Sequence, residues 1–157
     1  MKMSAPMEVG ICVADLARML AFYESVLGMQ KISEIGLSDH GAQISGLGAV
    51  GYTVVRLQTD YGERIKLMCP TRAPAVAERA STPSARTGIG YLTFLVTDLP
   101  GEIERLEKAG HPSAKGIVEL RPGVNMALVR DPEGNFVELA EYANIHAYRP
   151  DLGRGPA

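Results

Sequence analysis

The chain repeats itself, and that duplication constrains its fold more than any other feature of the sequence. Glu8-Val9-Gly10-Ile11-Cys12-Val13-Ala14-Asp15 reads as a short strand ending at a helix cap, and Tyr91-Leu92-Thr93-Phe94-Leu95-Val96-Thr97-Asp98 reads the same way, with Asp in the same place. An aspartate there accepts hydrogen bonds from the backbone N–H groups that open a helix and have no partner inside it. After Asp15, Leu16, Met19, Leu20, Tyr23, Val26 and Leu27 recur at helical spacing, and Gly28 supplies a C-terminal stop. After Asp98 the apolar set is Leu99, Ile103, Leu106 and Ala109, closed by Gly110.

The remainder of each unit repeats too. Tyr52 to Gln58 alternates as a strand, Asp60-Tyr61-Gly62-Glu63 turns, and Arg64 to Met68 returns. In the other unit Val124 to Val129 leads into the turn Asp131-Pro132-Glu133-Gly134-Asn135, and Phe136 to Ala140 returns. A further strand is expected after each helix, near Gln30–Ile35 and Gly116–Leu120. Each unit is then a strand, a helix and three strands, at about 7–69 and 90–142, with a Pro-containing linker over 70–89 and a polar tail over 143–157. A short helix is an option near Ala75–Ala80, and Ser33 to Gly48 reads largely as loop.

With 157 residues, 46% hydrophobic and 22% charged, the chain is expected to form one domain with a real core. A net charge of −2 and the absence of a Lys/Arg run give no reason to expect nucleic acid or an anionic membrane as partner. No apolar stretch approaches the roughly 20 residues that span a bilayer, and Met1 to Pro6 does not read as a secretory leader. Cys12 and Cys69 do not make a disulfide framework, so a reducing cytoplasm is the expected location.

These segments, from Val9-Gly10-Ile11 with Phe22-Tyr23 and Leu27-Gly28 to Asp131-Pro132-Glu133-Gly134-Asn135-Phe136-Val137-Glu138-Leu139, resemble the vicinal oxygen chelate superfamily of glyoxalase I, extradiol dioxygenases and bleomycin-binding proteins. The resemblance covers nearly everything from Met7 to Tyr142. It implies an α+β, glyoxalase-like fold: two tandem βαβββ modules curling around a shared cavity. It also implies four functional side chains, from the first and last strands of each module, usually His or Glu and often holding a metal. By position these are Glu8, Lys66, Tyr91 and Glu138. Only Glu138 is the usual family residue at its place; Lys66 stands where Glu is common, and Tyr91 and Glu8 where His is common.

A Lys ammonium has no lone pair to give a metal and repels a divalent cation. No cofactor is therefore expected. If a metal is present, Glu138, Glu8 and, reaching in from its loop, His40 are its candidate ligands. His111 and His146 fall in a loop and the tail.

Two functions stay open. One is a metal-independent lyase or isomerase, with Glu138 or Glu8 as base, Lys66 as oxyanion stabiliser or proton donor, and Tyr91 as orienting group or acid. The other is a non-catalytic protein that binds or sequesters a small, antibiotic-like molecule. A metal-dependent enzyme with an atypical ligand set is a third, more distant option. Set against these are structural roles. Lys66 and Glu138 could form a plain ion pair, Tyr91 could be a core residue, Cys12 a small packing residue, and Arg64 and Arg130 solvated strand ends or binders of a substrate anion. The resemblance further implies a small organic substrate or ligand and a homodimer.

Overall fold

The computed structural model describes residues 3–75 and 78–152. The chain divides into two compact units, Met1–Glu78 and Arg79–Ala157. In the first, β1 (Glu8–Cys12) leads to α1 (Leu16–Leu20), then to β2 (Gln30–Leu37), α2 (Asp39–Ser45), β3 (Tyr52–Gln58) and β4 (Arg64–Pro70). In the second, β5 (Tyr91–Leu95) leads to α3 (Leu99–Lys108), β6 (Val118–Arg121), β7 (Val124–Arg130), β8 (Phe136–Tyr142) and α4 (Ile145–Tyr148).

The two sheets share one topology, β1-β4-β3-β2 and β5-β8-β7-β6. In each, the first strand runs parallel to the last and the other pairings are antiparallel. The duplicated α+β architecture anticipated from the repeat is therefore present. Even the irregularities repeat: the register slips between Lys31 and Ser33 in β2, and between Glu119 and Arg121 in β6.

Helix entry follows the sequence. Asp15 accepts from the Arg18 N–H at 3.0 Å and Asp98 from the Gly101 N–H at 3.0 Å. The first helix departs from expectation past Leu20, because Ala21–Val26 winds as a π-helix. The Leu27 N–H reaches back five residues to the Phe22 carbonyl, at 2.9 Å. The wider turn lets the adjacent residues Phe22 and Tyr23 both be buried, their rings edge-to-face at 5.1 Å.

Strand alternation sends Val55, Leu57, Ile65 and Leu67 to the buried face of the first sheet, and Ala127, Val129, Val137 and Leu139 to that of the second. Met19, Phe22 and Tyr23 are buried in unit one, and Leu99, Ile103 and Leu106 in unit two. Each such large side chain contributes about 1.5–3 kcal/mol when fully buried.

Two stretches expected as irregular are ordered. The Ser33–Gly48 region extends β2 to Leu37 and then forms α2. Ser38 caps that helix by accepting from the Gly41 N–H at 3.2 Å, and Gly46 ends it in the left-handed region at φ 71°. The central Gly41 and a narrow apolar stripe, with only Ala42 buried, hide it from a periodicity reading. The tail likewise forms α4, capped by the Asn144 side chain. Of the helix considered near Ala75–Ala80, residues 76–77 lie outside the described residues, and Ala75 and 78–80 are not helical. A 3₁₀ turn at Pro83–Ala85 follows.

Candidate functional site

Cross-strand partners lie on the same face of a sheet, so the register sorts the unburied face of sheet one into rows. The first row runs Glu8, Arg64, Gln58, Gln30, and the second Gly10, Lys66, Arg56, Ser33. The third is Cys12, Met68, Val54, Ile35, followed by Pro70, Tyr52 and Leu37. Ala42 of α2 packs with Tyr52, Val54, Leu37 and Met68 at that end. The polar rows therefore stand beside an apolar end that α2 covers.

Glu8 is the hub of the polar rows. Its Oε1 accepts from Arg64 Nη1 at 3.2 Å, and its Oε2 pairs with Lys66 Nζ at 3.2 Å. Arg64 is held further by Gln58, whose Oε1 accepts from Nε at 2.6 Å. The hydrogen bond from Lys66, opposed by some desolvation and aided by Arg64, holds the Glu8 carboxyl below the usual glutamate range.

Sheet two repeats the layout with different residues. Its rows run Tyr91, Phe136, Arg130; then Thr93, Glu138, Leu128; then Leu95, Ala140, Met126; then Tyr142, Val124, Arg121. Glu8 and Tyr91 thus hold equivalent places, as do Lys66 and Glu138. Glu138 is half-buried, and its Oε2 accepts from Thr93 Oγ1 at 2.5 Å. Tyr91 is 50% exposed, not the core residue its type suggests.

The four residues carried over from the resemblance fall into two sets. Glu8 and Lys66 touch within sheet one, and Tyr91 and Glu138 share the unburied face of sheet two. Within its own sheet Lys66 pairs with Glu8 at 3.2 Å, and Glu138 accepts from Thr93 at 2.5 Å. Cys12 is exposed, contrary to its expected packing role.

Arg130 is neither a solvated strand end nor free for a substrate anion. It donates to the carbonyls of Gly134 and Ala80, both at 2.7 Å, and its guanidinium lies 3.8 Å from the centre of the Phe136 ring. Asp131 is buried and builds the adjacent turn, accepting from the Glu133 and Asn135 N–H groups at 3.0 and 2.9 Å and from Asn135 Nδ2 at 2.8 Å.

Among the described residues no group of three or more His, Cys, Asp or Glu side chains is arranged to hold a metal ion. His40 is exposed in the first turn of α2, not in a loop, and His146 is exposed on α4, while His111 follows α3.

The sequence reading did not single out Tyr142. It extends β8 two residues beyond the expected end at Ala140 and shares the face of Glu138. Its ring stacks on Tyr148 of α4, with centroids 4.2 Å apart and planes 14° from parallel. Burial, and then the neighbouring Tyr148 hydroxyl, push its phenol above the usual range. Asn144, a capping residue between two tyrosines, is the sequence signal that would have revealed it.

No helix among the described residues is long and apolar enough to cross a membrane. The family model described as Glyoxalase/Bleomycin resistance protein/Dioxygenase superfamily matches residues 7–139. No curated protein matches the sequence. Among solved structures, a glyoxalase family protein from Bacillus cereus is 23% identical with a TM-score of 0.77, over 91% of this chain and 97% of that one. The genomically encoded fosfomycin resistance protein FosX from Listeria monocytogenes is 15% identical with a TM-score of 0.63, over 89% of this chain and 94% of that one. At these identities the likeness is one of fold.

Proposed function

Because the chain belongs to the Glyoxalase/Bleomycin resistance protein/Dioxygenase superfamily, we propose that it is a metal-independent lyase or isomerase acting on a small organic molecule through Glu8, Lys66, Tyr91 and Glu138. The observation that supports this reading is the contrast between its two carboxylates. Glu8 sits between two cations that hold it ionised, which makes it a poor base. Glu138 receives a neutral hydroxyl from Thr93 and keeps lone pairs with which to accept a proton.

The division of labour follows. Glu138 removes a proton beside a carbonyl, and Lys66, aimed by Glu8, stabilises the oxyanion that forms. For an isomerase, Glu138 returns the proton to the neighbouring carbon. For a lyase, the leaving group departs with a proton from Tyr91, whose half-exposed phenol is available to a ligand. The donor set does not fit a divalent metal: Glu8 is already neutralised, the Lys66 ammonium has no lone pair, and no imidazole stands at any of the four places.

Lys66→Met tests this reading in a screen of carbonyl compounds with an acidic C–H or a β leaving group. Turnover is expected to fall about 10²- to 10⁴-fold while the far-UV circular dichroism stays that of the parent. Unchanged turnover, or stoichiometric metal in chelator-free protein that disappears in Glu138→Ala, overturns it.

A second reading, non-catalytic binding of a flat ligand, is favoured by the half-exposed rings of Tyr91 and Tyr148, the latter already stacked on Tyr142. Stoichiometric capture of a ligand whose mass is unchanged after hours would support it over catalysis. By the same resemblance the protein works as a homodimer, whose state light scattering in solution reads. Cys12 and Cys69, which make no disulfide framework, are the ground for proposing a cytoplasmic location.

A further inference from the structure

The second row of sheet one sets Lys66 directly opposite Arg56. Like charges at opposed cross-strand positions destabilise a sheet, so this pair calls for compensation. Glu8 does not supply it, because that carboxylate is shared between Lys66 and Arg64. Among the described residues, the one side-chain hydrogen bond from Arg56 goes to a neutral group, Ser33 Oγ, at 3.2 Å. Among the described strand residues of the two polar rows, Arg56, Arg64 and Lys66 thus stand with one carboxylate, Glu8, an excess of two positive charges in a chain whose net charge is −2, while the Asp60 carboxylate meets Gln30 at the far end of the first row.

The space beside these cations is open. Gly10 is the neighbour of Lys66 on β1, and a Cβ added there would meet nothing within 4 Å. Packing does not require glycine at this position, and its small size leaves the ammonium accessible from that side.

We propose that Arg56 and Lys66 form an oxyanion-binding site, and that the molecule acted on carries a phosphate, phosphonate or carboxylate group that this pair receives. The planar fork of Arg56 offers two parallel N–H donors to such a group, and Lys66 adds a point charge. The assignment rests on the reading of Lys66 as part of the substrate site, and it names the substrate class for that site. It also gives Arg56 the role of a specificity residue: a neutral analogue would leave the two cations facing each other uncompensated.

Calorimetric titration of the full chain with inorganic phosphate at low ionic strength tests the proposal. Saturable one-to-one binding is expected, weakened roughly ten- to a hundredfold in Arg56→Gln and unaffected in Lys108→Gln, whose charge is paired with Glu104 on the surface of α3. Gly10→Val keeps every charge and places its side chain in the open space beside Lys66; it too is expected to weaken binding at least tenfold. Absence of saturable binding, or equal affinity in Arg56→Gln and the parent, overturns the site. Equal affinity in Gly10→Val overturns its placement beside Lys66. The readout needs no turnover, so saturable phosphate binding together with unchanged turnover of a carbonyl substrate in Lys66→Met would refute the acid–base function and leave the oxyanion site standing.

Discussion

Removing the Asp131 carboxylate should destabilise the protein more than any surface change, because one buried side chain organises the whole β7–β8 turn. Asp131 is 3% exposed and accepts from the backbone N–H groups of Glu133 and Asn135 and from the Asn135 amide. A bond to a charged acceptor contributes about 1.5–3 kcal/mol. In Asp131→Ala the donors on Glu133 and Asn135 are half-buried and recover part of this by hydration. The expected loss is about 3–5 kcal/mol, which for a chain of this size lowers Tm by about 6–20 °C. Asp131→Asn keeps an oxygen for the two backbone donors and needs only an amide reorientation at Asn135, so its loss should be about 1–2 kcal/mol. Urea titration followed by circular dichroism, supported by tyrosine fluorescence since the chain has no Trp, measures both variants. A loss below 1 kcal/mol in the alanine variant, or equal losses in the two, would refute the assignment of the turn to this carboxylate.

Other outcomes follow from the site. In carboxyl-detected NMR, Glu8 should titrate below the usual glutamate range and move up toward it in Lys66→Met, with a smaller rise in Arg64→Gln. The sign for stability is that of a depressed carboxylate: the contribution is present above the unfolded value of about 4.3 and is lost as pH falls through the lower folded value. Tyr142 should ionise above the usual phenol range, and Tyr148→Phe should lower its pKa part of the way back, since burial remains the larger cause; ultraviolet absorbance of tyrosinate reads the change. A raised phenol pKa favours the fold below the unfolded value near 10, and that contribution is lost as pH rises through the folded one. If Lys66 and Glu138 serve one substrate, a cycle of Lys66→Met and Glu138→Gln should be strongly non-additive in kcat/KM; strict additivity would separate their roles.

The duplication, the aspartate caps and the strand alternation are local signals, and local chemistry carries them into the structure. Asp15 and Asp98 cap their helices because an acceptor three residues ahead of a free N–H has only one geometry to offer. The same alternation groups Glu8 with Gly10 and Cys12, Lys66 with Arg64 and Met68, Tyr91 with Thr93 and Leu95, and Glu138 with Phe136 and Ala140, since residues two apart on a strand point to the same side. The helix over Asp39–Ser45 was hidden because its stability comes from packing and from its caps rather than from an apolar stripe.

What only the tertiary structure decided is which groups meet. Alternation says that Lys66 faces one way; it does not say that register sets Arg56 opposite it, that Glu8 pairs with both Lys66 and Arg64, or that Arg130 spends its donors on Gly134 and Ala80. Register depends on turns and bulges many residues away, such as the slip between Lys31 and Ser33 that brings Ser33 beside Arg56. The fold was therefore legible in repeated short-range patterns, while the charge balance of the candidate site arises from strand pairings that join residues far apart in the chain.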